Sequence, residues 1–182
     1  MASRSILAAM MLAAALVAAA GAALGQSSQR LTGLRLTGNQ PIQIESDRLE
    51  IFDKDRKAVF SGNVSVTQGD TQVKAGRMTV HYSSDGGPVA GGGAAIERLE
   101  ADGTVYVRSR NQVATGDRGT FDMRSEVLVM TGEKVVLSEG DNVIVGCKLT
   151  VEMRSGQARF EGCGDRSSES GRIIMQLTPG QK

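Results

Sequence analysis

The sequence predicts an all-β protein: an elongated stack of antiparallel β-hairpins, either a solenoid or an extended jelly roll of many short strands. Three observations predict it. Apolar and polar residues alternate at period two through most of the chain. A unit of strand, turn, strand and turn recurs at nearly fixed spacing. And 23 glycines accompany only 3 prolines, a balance that fits repeated tight turns rather than a disordered linker. With aromatics at 3%, the core must be built from Val, Ile, Leu and Met.

At the start of the chain, Arg4 precedes an uncharged run through residues 6–24, and the small residues of Ala23-Leu24-Gly25 end it. This is the order of a secretory signal, with cleavage expected after Gly25 and Ala23 as a second candidate site. The competing reading is an uncleaved anchor, since a bilayer span needs about 20 apolar residues. Loss of Arg4 would leave 20 basic and 20 acidic groups in the mature chain, facing an oxidising compartment. The organisation expected is a signal over residues 1–25, a flexible segment over 26–39, one β domain over 40–179 and a short tail over 180–182. A formal net charge of +1 offers no basic field for a nucleic acid backbone, so no nucleic acid partner is expected.

In the body, Val64 and Val66, then Met78 and Val80, Val105 and Val107, and Leu149 and Val151 alternate with polar residues. Half-buried antiparallel strands produce this pattern because successive side chains point to opposite faces. Asp47-Arg48-Leu49-Glu50-Ile51 matches Asp117-Arg118-Gly119-Thr120-Phe121, and the same spacing carries Phe60-Ser61-Gly62 onto Met130-Thr131-Gly132. After a one-residue insertion, residues 64–80 match residues 135–151. Such a unit cannot bury its own apolar face and must stack on its neighbours. Lys54-Asp55-Arg56, Gln68-Gly69-Asp70, Glu139-Gly140-Asp141 and Arg154-Ser155-Gly156 carry the Gly and Asp that hairpin turns require. Residues 83–95, rich in Gly and Ser, break the pattern. No helix and no Lys-Ser/Thr pair follows them, so a flexible connection is expected there rather than a phosphate-binding loop.

The ordered set of Gln40-Pro41-Ile42-Gln43-Ile44-Glu45-Ser46-Asp47, Ala58-Val59-Phe60-Ser61-Gly62-Asn63-Val64-Ser65-Val66-Thr67-Gln68-Gly69, Ile96-Glu97-Arg98-Leu99-Glu100-Ala101-Asp102-Gly103-Thr104-Val105 and Gly171-Arg172-Ile173-Ile174-Met175-Gln176-Leu177-Thr178-Pro179 resembles the LptA/OstA family. The resemblance covers residues 40–179. It implies a twisted, open β-jellyroll in the periplasm that binds the acyl chains of lipopolysaccharide inside the roll. It also implies head-to-tail self-association, and contact with an inner-membrane-anchored component and an outer-membrane translocon. The family has no catalytic residues to transfer and no cofactor.

Strand phase selects the lipid-facing interior: Ile42, Ile44, Leu49, Ile51, Phe60, Val64, Val66, Val73, Met78, Val80, Val105, Val107, Phe121, Met130, Leu149, Val151 and Phe160. A dry, filled core is the competing reading of the same residues. Arg48 and Arg118, at equivalent repeat positions, and Arg77 and Lys148, nearly so, are candidate head-group contacts at the mouth. An ordinary solvated strand edge explains them equally. After export, Cys147 and Cys163 are expected to bridge, because a hairpin turning near Arg154-Ser155-Gly156 returns Cys163 near the level of Cys147. Free thiols or a bridge to a partner remain open. The single histidine, His81, lies on the polar phase of its strand without clustered ligands, which speaks against zinc and against a Ser-His-Asp set. Two other functions stay in view: a membrane-anchored sister component of the same apparatus, which would keep Met1, and a structural β-solenoid that polymerises without lipid.

Overall fold

The structure, a computed structural model, describes residues 41–89, 94–164 and 171–178. The expected export signal and its cleavage after Gly25, the segment over residues 26–39 and the tail over 180–182 lie outside the described residues.

Alternation at period two produces strands throughout. In chain order they are β1 (Gln43–Glu45), β2 (Arg48–Phe52), β3 (Lys57–Gln68), β4 (Thr71–Tyr82), β5 (Ile96–Ser109), β6 (Gln112–Asp122), β7 (Val127–Glu139), β8 (Asn142–Glu152), β9 (Gln157–Glu161) and β10 (Ile174–Gln176). Strands β3 to β8 form an antiparallel meander. At one edge, β1 and β2 pair with the two ends of β3; at the other, β10 and β9 pair with the two ends of β8. The repeat in the sequence is therefore a repeat in space. β1 and β2 together run against β3 as the unbroken β6 runs against β7.

Every long strand pairing shifts register near its middle, between Ser61 and Val64, Lys74 and Arg77, Asp102 and Val105, Thr115 and Arg118, and Thr131 and Val135. The shifts align into one crease across the sheet. A bulge bends its strand, and a row of bulges folds the sheet into two layers. Inward side chains of both layers join a single apolar cluster, so the architecture is the jelly roll rather than the solenoid.

Each of the six long strands carries a glycine at the crease: Gly62, Gly76, Gly103, Gly116, Gly132 and Gly146. Crowding explains the choice. A Cβ on Gly132 would lie 2.7 Å from Asp117 Oδ2, and a Cβ on Gly62 would lie 2.4 Å from Asp47 Oδ2. Those two aspartates clasp the crease at equivalent repeat positions. Asp117 Oδ2 accepts the Glu133 N–H at 2.8 Å; Asp47 Oδ2 accepts from Asn63 Nδ2 at 2.8 Å. Gly62 also has φ +77°. The change Gly62→Ala combines that backbone conformation with the clash and should cost about 1–3 kcal/mol in urea unfolding.

The turns expected near residues 54–56, 69–70, 140–141 and 154–156 all form. A flexible connection is expected over residues 83–95, of which the structure describes 83–89 and 94–95. They join adjacent strands β4 and β5, and their described part is pinned to the β2–β3 turn. The Arg56 guanidinium donates to the carbonyls of Ser83, Gly86 and Gly87, the last at 2.9 Å. The Val89 N–H donates to Asp53 Oδ1 at 3.1 Å, and Val89 is buried. An arginine with five donors organises a glycine-rich backbone in which Val89 is the buried apolar side chain among the described residues.

The β6–β7 turn is held by Asp122, whose carboxylate accepts the N–H and the hydroxyl of Ser125, both at 2.7 Å. These donors hold the Asp122 carboxyl below the usual aspartate range. The resulting stabilisation is present above the ordinary aspartate pKa and is lost as pH falls through the depressed one. Replacing Ser125 with Ala should return Asp122 toward ordinary titration, read by NMR of its carboxyl carbon.

Candidate functional site: an apolar trough between two half-sheets

In the layer formed by β2, β9 and the adjoining halves of β3 to β8, two inward rows cross all eight strands. One runs Leu49, Phe60, Met78, Ala101, Gly119, Met130, Leu149, Phe160. The next runs Ile51, Ala58, Val80, Leu99, Phe121, Leu128, Val151, Ala158. In the other layer, closed at its edges by β1 and β10, a facing row runs Ile44, Val66, Val73, Val107, Ala114, Leu137, Ile144, Met175. Three rows of apolar side chains thus extend from one end of the sheet to the other without a charge.

Of the residues selected by strand phase, Val64, Val66, Val73, Met78, Val80, Val105, Val107, Phe121, Met130, Leu149 and Val151 are buried in this trough. Ile42, Ile44, Phe60 and Phe160 are half-buried against it. Leu49 and Ile51 keep the inward phase but are 49% and 45% exposed, so they do not belong to the enclosed interior. Among the described residues β2 is the last strand of its layer, and none of them covers the outer side of Leu49 and Ile51. At the opposite end Ile174, Met175 and Leu177 are 65%, 58% and 61% exposed. The trough is therefore closed along its length and apolar at both mouths.

The interior is tightly filled. Val73, Val105 and Val107 of one layer and Met78, Leu99, Phe121 and Leu128 of the other surround about 40 Å³ of free space. Apolar contact joins the layers across the gap, whereas the polar contacts of the rims tie neighbours within one layer. Arg110 pairs with Asp70 at 3.5 Å, and Arg154 with Glu126 at 3.6 Å.

The four candidate head-group cations lie on the outer face of the sheet, the position of an ordinary solvated strand edge. Arg48, Ser61, Arg77, Asp102, Arg118, Thr131, Lys148 and Glu161 form one cross-strand row beside the crease. Each follows or precedes an inward residue, so alternation sends the row to the outer face. Arg118 pairs with Asp102 at 3.2 Å and Lys148 with Glu161 at 2.8 Å. The row reads as exposed polar surface in which unlike charges pair across neighbouring strands. His81 is outward as well, with Nε2 3.2 Å from Glu100 Oε2 but not aligned for a hydrogen bond. Cys147 and Cys163 are joined by a disulfide, with Cα atoms 5.0 Å apart across a sequence separation of 16. It anchors the segment leaving β9 to the crease of β8, and on the chain-entropy account contributes about 3 kcal/mol.

Sequence reasoning missed several lining residues: Ala58, Ala75, Leu99, Ala101, Ala114, Leu128, Val135, Leu137 and Met153. The repeat already held two of them, since Val135 and Leu137 stand where Val64 and Val66 stand. It also missed a buried polar row, Gln68, Thr71, Ser109 and Gln112, at the rim of the second layer. Its positions carry the inward phase but not the apolar chemistry that had marked that phase.

Comparison with known proteins places this architecture. An uncharacterised protein of Rhizobium meliloti is 49% identical over 86% of this chain and 82% of its own length. The lipopolysaccharide export system protein LptA of Escherichia coli K12 is 26% identical, over 79% of this chain and 74% of its own. The crystal structure of LptH, the LptA-homologous periplasmic component of the lipopolysaccharide transport device of Pseudomonas aeruginosa, superposes with a TM-score of 0.63 at 21% identity. That match covers 77% of this chain and 96% of that one and shows a shared fold. Residues 43–157 match the family described as LptA/(LptD N-terminal domain) LPS transport protein, a family of transport components and not of enzymes, and this chain belongs to it.

Proposed function

We propose that this chain is a periplasmic carrier of lipopolysaccharide that lies between an inner-membrane-anchored component and an outer-membrane translocon. In this reading residues 1–25 are an export signal, and residues 40–179 form the carrier, which assembles head to tail. The observation that carries the reading is the trio of uninterrupted apolar rows ending in exposed apolar mouths.

An acyl chain left in water costs roughly 0.8 kcal/mol per methylene, so a carrier needs a continuous apolar lining and no directional chemistry along it. With about 40 Å³ free, a chain enters by parting the two rims. Parting them exchanges apolar contact between layers for apolar contact with the chain. The opening is therefore matched by what fills it, while the crease, with its glycines and clasping aspartates, serves as the hinge. Met78 and Met130, unbranched and polarizable, suit a surface that must repack around different chains.

The test is recovery of the full-length protein from the periplasm of a Gram-negative host, followed by organic extraction and mass spectrometry. Lipid A in about equimolar amount with protein is expected. Protein recovered free of lipid, and unable to take up purified lipopolysaccharide, would overturn the reading. Filaments formed under those conditions would instead favour a lipid-free structural polymer.

A further inference from the structure

The two edge strands of the first layer carry the same triplet. β2 holds Arg48-Leu49-Glu50 and β9 holds Arg159-Phe160-Glu161, each with an inward apolar residue between two outward charges. All four charged residues are exposed. Inside the sheet, outward charges pair across neighbouring strands, Arg118 with Asp102 and Lys148 with Glu161. At the edges the sheet runs out of neighbours. Among the described residues Arg48, Glu50 and Arg159 have no ion-pair partner.

Strand count fixes how a second copy can meet these edges. The layer is crossed by β2 to β9, each antiparallel to the next, so β2 and β9 run in opposite directions. A copy that continues the sheet in the same orientation lays its β2 antiparallel to β9. Read in opposite directions, the two triplets are complementary. Continuing each cross-strand row puts the second copy's Leu49 opposite Phe160, its Arg48 opposite Glu161 and its Glu50 opposite Arg159. The same step in the other layer puts the second copy's Ile44 opposite Met175. Slips are penalised. A one-residue slip turns the apolar residues to the outer face. A two-residue slip keeps the faces but sets Arg48 against Arg159, or Glu50 against Glu161. Pairing β2 with β2 about Leu49 also matches charges, but it turns the β1 strands of the two copies away from each other and breaks the rows of the second layer.

Resting on the head-to-tail assembly proposed above, we propose that the two triplets set the register of that joint, with a second copy of this chain as the occupant. Arg48 pairs with Glu161 and Glu50 with Arg159 across the junction. In this register the three apolar rows of one copy run into those of the next without a step. A two-residue slip would offset them by about 7 Å. The outward charges thereby align the inward troughs.

The test is sedimentation velocity of the mature chain at low salt. Wild-type protein is expected to form strings. Glu50→Arg and Arg159→Glu, each alone, set like charges face to face and should weaken association by roughly three- to thirtyfold. An equimolar mixture of the two variants should regain wild-type strings, because each meets the other's opposite charge at both ends. Both positions are exposed, and circular dichroism checks the fold. Should either variant misfold, Glu50→Gln and Arg159→Gln replace them: combined in one chain, they should cost no more than either alone, and additive losses would overturn the pairing. Strings unchanged in both charge-reversed variants, or a mixture no longer than its parts, would overturn the register and leave head-to-tail assembly in place. A loss confined to one variant is the mark of pairing between like edges and overturns both. Wild-type protein that stays monomeric at every concentration removes the assembly and the register together, while the lipid reading stands on its own extraction test.

Discussion

Leu149→Ala should lower the unfolding free energy by about 2–5 kcal/mol, and Leu149→Asp should yield no folded protein. Leu149 is fully buried. It stands opposite Met130 on β7 and Phe160 on β9, in the row that crosses the whole first layer. Truncation removes three carbons from a tightly filled interior. The backbone is already closely approached at Gly146, three residues before Leu149, where a Cβ would lie 2.7 Å from the Glu161 carbonyl oxygen. Urea unfolding followed by circular dichroism measures the change as a shift in midpoint. The same variant separates two roles of the row. If the row only fills a core, lipid uptake falls in step with the folded fraction. If it lines a trough that opens, the affinity of the folded fraction itself changes, because the acyl chain meets the altered lining. A Leu149→Ala protein of unchanged stability would show that the two layers are not in contact at this row.

Strand phase was legible because burial on one face writes itself at period two, and tertiary contact rarely disturbs it. Met78 and Val80 or Leu149 and Val151 can be assigned to the interior from their neighbours alone. The crease was less legible. Abundant glycine points to turns, and Gly69, Gly140 and Gly156 do sit in turns with positive φ. The six crease glycines serve a different need, close approach within a bent sheet, and nothing local to each strand marks it. The repeat held the clue: Asp47 and Gly62 recur as Asp117 and Gly132, the residues that meet across the crease. Two turns escaped notice because they lack glycine. Arg110 and Glu126 adopt φ of 54° and 57°, a conformation imposed by the pairing on either side rather than by residue preference.

The cations have a related lesson. Repeat position pairs Arg48 with Arg118 and Arg77 with Lys148, and the pairing of strands puts all four in one row, but a row has two faces. Which face meets solvent follows from the inward neighbours Leu49, Met78, Gly119 and Leu149. Where the mouth lies follows only from how the sheet folds. Leu49 and Ile51 illustrate the limit from the other side. Their phase is inward, yet their exposure depends on whether another strand follows β2, a property of the edge and not of the residues.

Those edges carry the second large effect. With head-to-tail assembly, replacing Ile174, Met175 and Leu177 together by Lys should abolish strings of the protein in sedimentation velocity, raising the apparent Kd by more than about 100-fold. The estimate follows from burial of about 1.5–3 kcal/mol for each large apolar side chain that leaves water. Leu49→Lys with Ile51→Lys should act equally at the other end, since both edges present unpaired strands beside exposed apolar side chains. Either variant alone blocks one end and leaves the other free. A heterologous interface joins unlike surfaces, so the two variants, each monomeric alone, should form dimers and nothing longer when mixed. A face-to-face interface predicts the opposite: one variant would self-associate through its intact end, and mixing would add nothing. Strings that persist in either single-ended variant would place the contact elsewhere than at β2 and β10.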